Sequence, residues 1–362
     1  MEPPLCKTRV YDLFMGLGFQ DKISYSADFR FCEESLPKVS RTFAINIRIL
    51  KGDVYRGVLL AYLLCRIADS IEDDNYFPVD FKIQKLHEYS SLFPPALHYK
   101  KQISEFLQSM RFADETNASV LVNNTVRVFN ELVKLPETLI AVISRYVKEM
   151  AVGMAGFQEK GLNKRKVFFE NQNELDQYCY YVAGTVGLML TSVFTLDSKK
   201  ISPEVKKKLE QRSVQFGLGL QVTNIAKDFI EDQKRGWCYV PRSFFTEAGI
   251  DPSSDLLTEK PDRLLKVEKR IIEHALGYLD EAFRYVMDIP RTFIRYRLFC
   301  LWPLFMAVET LSKLYHEHSF LNGRVIKISR DDVQRITRNT SLMVLSNKAL
   351  RFLYNHRRPF IR

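Results

Sequence analysis

Two acidic segments lie far apart in the chain, Asp69-Ser70-Ile71-Glu72-Asp73-Asp74 and Asp228-Phe229-Ile230-Glu231-Asp232. Each holds aspartates four positions apart inside a stretch with helical apolar spacing. On a helix, positions i and i+4 share a face, so Asp69 with Asp73, and Asp228 with Asp232, aim their carboxylates one way. Like charges placed so repel by roughly a few tenths of a kcal/mol, and folding alone does not favour them. Glu72 and Glu231 add a carboxylate to each segment, and Arg66, Lys227, Lys234 and Arg235 flank them. Carboxylate pairs beside Arg and Lys suit hard divalent cations, magnesium above all, bridging protein to diphosphate oxygens. A lone DxxxD is common on solvated helix faces. Two in similar surroundings point to a paired metal–diphosphate site.

The elements that must position these groups are helices. Apolar periodicity predicts them over 40–74, 79–93, 118–134, 136–161, 173–195, 203–233, 261–287, 292–320 and 330–355. Breaks fall at turn chemistry such as Phe93-Pro94-Pro95 and Leu135-Pro136. No run of alternating strands, fixed-period repeat or low-complexity linker is visible, so the expectation is one all-α domain. We place an N-terminal extension at 1–38, the helical domain at 39–345 and a basic tail at 346–362. Gly184, Gly187, Gly217 and Gly219 fall inside predicted helices, where each costs about 1 kcal/mol relative to alanine. Close helix packing or room for a ligand would justify them; beside the two acidic motifs, an apolar channel is the favoured reading.

The 362 residues include 53 Lys and Arg against 43 Asp and Glu, a formal charge of +10. That excess fits an anionic partner: a polyanionic substrate, a membrane surface or nucleic acid. A nucleic-acid binder gathers its cations on one face, whereas here they are dispersed and the carboxylates cluster. The six cysteines show no metal-ligand spacing, and four lie among apolar residues, as reduced buried thiols do. With no signal-like N-terminus and no stretch of about 18 uninterrupted apolar residues, the expectation is a cytoplasmic chain without a transmembrane segment. The basic, aromatic ending Asn355–Arg362 admits peripheral contact with an anionic membrane as well as a solvated tail.

These residues resemble the squalene/phytoene synthases, which join two prenyl diphosphates head to head. The likeness rests on Ser40-Arg41-Thr42-Phe43-Ala44, Tyr62 with Arg66 and Asp69–Asp73, Gly153-Met154-Ala155-Gly156-Phe157, Tyr178–Gly187, Gln221 with Asn224 and Asp228–Asp232, and Phe299-Cys300 with Pro303. Met154, Cys179-Tyr180-Tyr181 and Phe299–Pro303 look nearest the squalene synthase branch. Asp232–Pro241 looks more like the phytoene and dehydrosqualene branch. The resemblance implies an all-helical isoprenoid synthase fold around a deep apolar cavity, with Mg2+ held between Asp69, Asp73, Asp228 and Asp232, and with Glu72 and Glu231 as further metal ligands. Arg41, Thr42, Arg66, Lys227 and Arg235 would hold the diphosphate of farnesyl diphosphate. Tyr178, Tyr62 and Arg66 would serve catalysis. Phe43, Met154, Val182, Gly184, Leu188, Leu220, Gln221 and Asn224 would line the pocket.

Squalene formation needs a hydride from NADPH, for which the resemblance offers Lys227, Lys327 and Arg330. The squalene branch carries arginine at the position of Lys227 and a Lys-x-Arg where this chain reads Lys327-Ile328-Ser329-Arg330; both branches carry arginine at the position of Trp237. Squalene is the expected product, and dehydrosqualene or phytoene, made without the reductive step, is the alternative. A non-catalytic helical scaffold is the reading from another class, and the complete set of carboxylates argues against it.

Overall fold

In a computed structural model, residues 26–164, 166–197, 201–252, 260–318, 320 and 326–359 are described, the side chains of Arg41 and Asp197 excepted. The helices, in order, are α1 Ala27–Val39, α2 Arg41–Ile47, α3 Gly52–Glu72, α4 Val79–Ser91, α5 Tyr99–Gln108, α6 Asn117–Asn123, α7 Thr125–Leu132, α8 Glu137–Gln158, α9 Gln172–Cys179, α10 Thr185–Asp197, α11 Pro203–Lys234, α12 Arg242–Glu247, α13 Pro261–Asp288, α14 Ile294–Glu317, α15 Arg330–Met343 and α16 Asn347–Arg357. A π turn over Tyr180–Gly184 joins α9 to α10. Two short strands, β1 Val167–Phe168 and β2 Trp237–Cys238, pair in parallel with Val167 opposite Trp237.

The helix predicted over 40–74 divides. Ser40 caps α2, its Oγ accepting the Phe43 N–H at 3.2 Å, and the chain turns at 48–51 before Gly52, whose φ of +58° lies in the left-handed region. Helix α3 then runs through the centre of the molecule. Its Leu59, Leu60, Leu63, Leu64, Ile67 and Ile71 are all fully buried, as a helix apolar on several sides requires.

Helix α11 starts with Ser202, whose Oγ accepts the Val205 N–H at 3.3 Å, and with Pro203 in the first turn. It stops where Gly236 adopts φ +82°. Along its length it packs on α13 and α10. The expected helix over 330–355 is also two, and the second, α16, buries Leu350 and Tyr354. Helices α1, α5 and α12 and the two short strands escaped the periodicity. They are too short, or too polar on one side, for a window of helical spacing to register them.

Two helical stretches, Gln172–Leu196 and Ile294–Glu317, are long and apolar enough to cross a membrane by length and composition. Neither is an uninterrupted apolar run, and the core helix of a soluble fold has the same length and composition. In the fold the apolar window of Ile294–Glu317 is 78% buried and that of Gln172–Leu196 is 44% buried, so the first at least serves as a core helix.

Candidate active site

Both acidic motifs occupy the last turns of their helices. Asp73 caps α3, its N–H donating to the Asp69 carbonyl at 2.8 Å. The Asp74 Oδ1 ends the helix by accepting the N–H groups of Tyr76 and Phe77 at 2.8 and 2.9 Å. Asp228 and Asp232 lie in the last two turns of α11. A helix C-terminus carries partial negative charge that favours cations. Four carboxylates gathered at two such ends are stable only with positive charge among them.

Arg235 supplies part of that charge. Its Nη1 lies 3.5 Å from Asp73 Oδ1 while its Nη2 pairs with Asp232 Oδ1. One guanidinium thus touches both motifs, which places them across a shared mouth. Arg66 approaches Asp69 at 3.9 Å and Lys227 approaches Asp228 at 3.2 Å. The carboxyl groups respond chiefly to burial. Burial, with Asp73 adding to it and Arg66 opposing it, pushes Asp69 up to about 7. Burial likewise pushes Asp232 up to about 6 against the pull of Arg235, and raises Asp228 against Lys227. Glu72 points inward: it is 6% exposed, accepts the Gln158 Nε2–H at 3.3 Å, and burial drives it up to about 8. Glu231 is exposed.

Beneath Glu72 lies an aromatic stack. Tyr178 is held edge-on by Phe157 and Phe169 and lies nearly parallel to Tyr239, with ring centroids 4.9 Å apart. The Tyr178 and Tyr239 hydroxyls are hydrogen-bonded, and burial together with the Glu72 charge holds both far above the ordinary phenol range. Tyr239 stacks in turn on Trp237. The sequence reading missed Tyr239 and Gln158, since a two-residue strand and a helix end give little pattern. The aromatic alternation Trp237-x-Tyr239 was the available signal. Tyr62 lies near the α2 end, its ring 5.5 Å from Phe43. Its hydroxyl bonds the Ser40 side chain, and burial raises it.

Beside the mouth opens a cavity of about 1430 Å³ between α2, α11, α14 and α15. Thr42, Phe43, Leu220, Asn224, Lys227, Lys327 and Arg330 line it, as do Arg48, Arg295, Arg335 and Arg338, which the sequence did not single out. Trp302, in its wall, has a buried Nε1–H without a partner among the described residues. Gln221 is half-buried on α11, and Val182 and Leu188 are half-buried against the core. The side chain of Arg41 lies outside the described residues.

Two pocket expectations need correction. Gly184, Gly187, Gly217 and Gly219 provide close helix contact and not ligand room. A methyl group on Gly187 would overlap the Ser213 carbonyl and one on Gly217 the Ala183 carbonyl; at Gly184 it would crowd Tyr180, Leu218 and Val214. Met154, only 1% exposed, is a core residue, and the neighbouring Gly153 gives up its side chain to seat the Tyr181 ring.

The donor set fits magnesium. Among the described residues no three Asp, Glu, His or Cys side chains converge tightly enough to cage an ion. Magnesium is characteristically held by one or two carboxylates with water and substrate phosphate completing the octahedron. Arg235 already occupies a cation's place between Asp73 and Asp232. The cavity beside the mouth, with its arginines, lysines and orphaned Trp302 N–H, fits an elongated anionic cofactor.

A helical enclosure with opposed aspartate pairs at its mouth defines an all-α isoprenoid synthase. The chain belongs to the squalene/phytoene synthase family, whose model matches residues 36–332. It is 29% identical to squalene synthase of Homo sapiens over 308 residues, covering 84% of this chain and 68% of that protein. The solved structure of TcSQS with the ligand BPH1237 matches at TM-score 0.72 and 25% identity, over 90% of this chain and 91% of that one. A dehydrosqualene synthase solved with a ligand matches at TM-score 0.61 and 21% identity, over 91% and 97%, which speaks for the fold alone.

Proposed function

We propose that the protein condenses two farnesyl diphosphates head to head, through a cyclopropylcarbinyl diphosphate, and reduces that intermediate to squalene with NADPH. The observation that supports this most is the Arg235 bridge, since it sets the Asp69/Asp73 and Asp228/Asp232 pairs across one mouth, the arrangement a diphosphate clamped by metal needs.

Magnesium held by Asp69, Asp73, Asp228 and Asp232 would neutralise the charge that develops on the departing diphosphate. Arg66, Lys227 and Arg235 stand ready to share that charge, with Arg41 and Thr42 assigned to it from sequence. The carbocation left behind must meet no water; Phe43, Val182, Leu188 and Leu220 are the proposed walls. Tyr178 presents a ring face and a hydroxyl to it. Because Tyr178 and its bonded partner Tyr239 both stay protonated, Tyr178 steers and stabilises the cation, and the proton lost on ring closure goes to the released diphosphate, the base that ionisation itself supplies. For the second half, Asn224 and Lys227 line the neighbouring cavity, with Gln221 assigned to it from sequence, and Lys327 and Arg330 would anchor the phosphates of the hydride donor there.

The test is incubation of purified protein with farnesyl diphosphate and magnesium, with and without NADPH, followed by lipid extraction. Squalene only with NADPH supports the proposal. Dehydrosqualene irrespective of NADPH would replace the reductive half with the non-reductive reading, and absence of any C30 product would discard both.

A further inference from the structure

Helices α15 and α16 form a hairpin that turns apolar side chains into solvent. Leu342 is 78% exposed, Leu345 56% and Phe352 73%, opposite the buried stripes Ile336–Thr340 and Leu350–Tyr354. From Val333 to Arg362 the sequence contains seven Lys and Arg and no Asp or Glu. Some of these cations face inward: Arg335 and Arg357 pair with Glu309, and Arg358 with Asp280. Arg338, Lys348 and Arg351 are exposed and, among the described residues, form no ion pair. Lys348 lies one turn before Phe352 on α16, with Arg351 next to it in sequence, and Arg338, at the cavity rim, lies one turn before Leu342 on α15.

We propose that this hairpin is a docking surface for an anionic lipid bilayer. Exposed Leu and Phe enter the headgroup–acyl boundary, and lysine and arginine beside them are drawn to anionic headgroups. A protein partner that fitted this patch would need an acidic rim around an apolar socket. A bilayer presents both in continuous form. The unbroken absence of carboxylates over the segment removes the repulsion that ordinary mixed surfaces have toward such a membrane. Helix α15 also lines the large cavity through Val333, Gln334, Thr337 and Ser341. On the proposed reaction, docking would hold that cavity beside the only phase in which a C30 hydrocarbon dissolves.

The experiment is sedimentation of the full chain with phosphatidylcholine vesicles, with and without phosphatidylserine, at low and high salt. Binding is expected only with phosphatidylserine and is expected to weaken as salt rises. L342S/F352S and K348E/R351E should each weaken it by about tenfold or more, with circular dichroism unchanged. Their C30-forming activity in detergent should stay within about twofold of wild type, so a failed vesicle assay leaves the proposed reaction standing. Equal partition onto pure phosphatidylcholine, no partition at all, or variants that bind as wild type would overturn the proposal. A wild-type dimer abolished by L342S/F352S would assign the patch to a second copy instead.

Discussion

Asp73 and Asp232 meet on the guanidinium of Arg235, one carboxylate from each acidic motif on either side of a single cation. Neither residue is near the other in sequence, so this contact fixes the relative placement of α3 and α11 at the mouth. It also means that a positive charge is present there before any metal arrives.

Removing that charge should therefore be felt mainly without metal. R235A is expected to destabilise the magnesium-free protein by about 1 kcal/mol, since Arg235 is partly open to water and such pairs are screened. Saturating magnesium should erase most of the difference, and R235K should fall between. Thermal unfolding with and without magnesium reads this. A deficit that magnesium leaves untouched would mean that Arg235 is a structural tie with no bearing on the metal site.

The aspartates themselves separate chemistry from folding. Asp73→Asn and Asp232→Asn should each lower turnover by about 10²-fold or more, with helical circular dichroism intact. Asp73 is 52% exposed, so its removal takes little from the core. Near-wild-type turnover in either variant would withdraw the metal assignment at that motif.

Acidity gives a further test with a definite sign. Burial pushes Asp232 up to about 6, Asp69 to about 7 and Glu72 to about 8, against roughly 4 for unfolded carboxylates. Between those limits the folded chain keeps protons that the unfolded chain has lost. These groups therefore make stability fall as pH rises through that window. Magnesium binds the deprotonated carboxylates, so its stabilising shift in melting temperature should grow between about pH 6 and pH 8. A shift independent of pH would show that these carboxylates do not hold the ion.

The acidic spacing, the long helices and the all-α class were legible because each is local: a period of 3.6 or a separation of four can be read along the chain. Arg235 was legible as a cation near its motif, but its reach to Asp73 depends on how α3 and α11 cross. Tyr239 was illegible because it follows β2 while its partner, Tyr178, lies on α9, and only the tertiary fold stacks the two rings. Met154 misled because a small, apolar helix face looks the same whether it lines a cavity or fills a core.

The glycines misled for the same reason, and they provide the sharpest test of the packing. If Gly187 and Gly217 lined an apolar channel, alanine would meet only open space and would gain up to about 1 kcal/mol in helix propensity. In the structure, alanine at 187 collides with the Ser213 carbonyl of α11 and alanine at 217 with the Ala183 carbonyl of the π turn, and backbone cannot swing aside. G187A and G217A should therefore each destabilise the fold by about 1–3 kcal/mol. Gly156 and Gly277 supply the control, since nothing lies within 4 Å of an added methyl at either site. G156A and G277A should be neutral or stabilising. Urea unfolding of the four variants decides it: destabilisation confined to positions 187 and 217 locates the closest approach of α10 and α11, whereas stabilisation at all four would restore the channel and move the substrate between those helices.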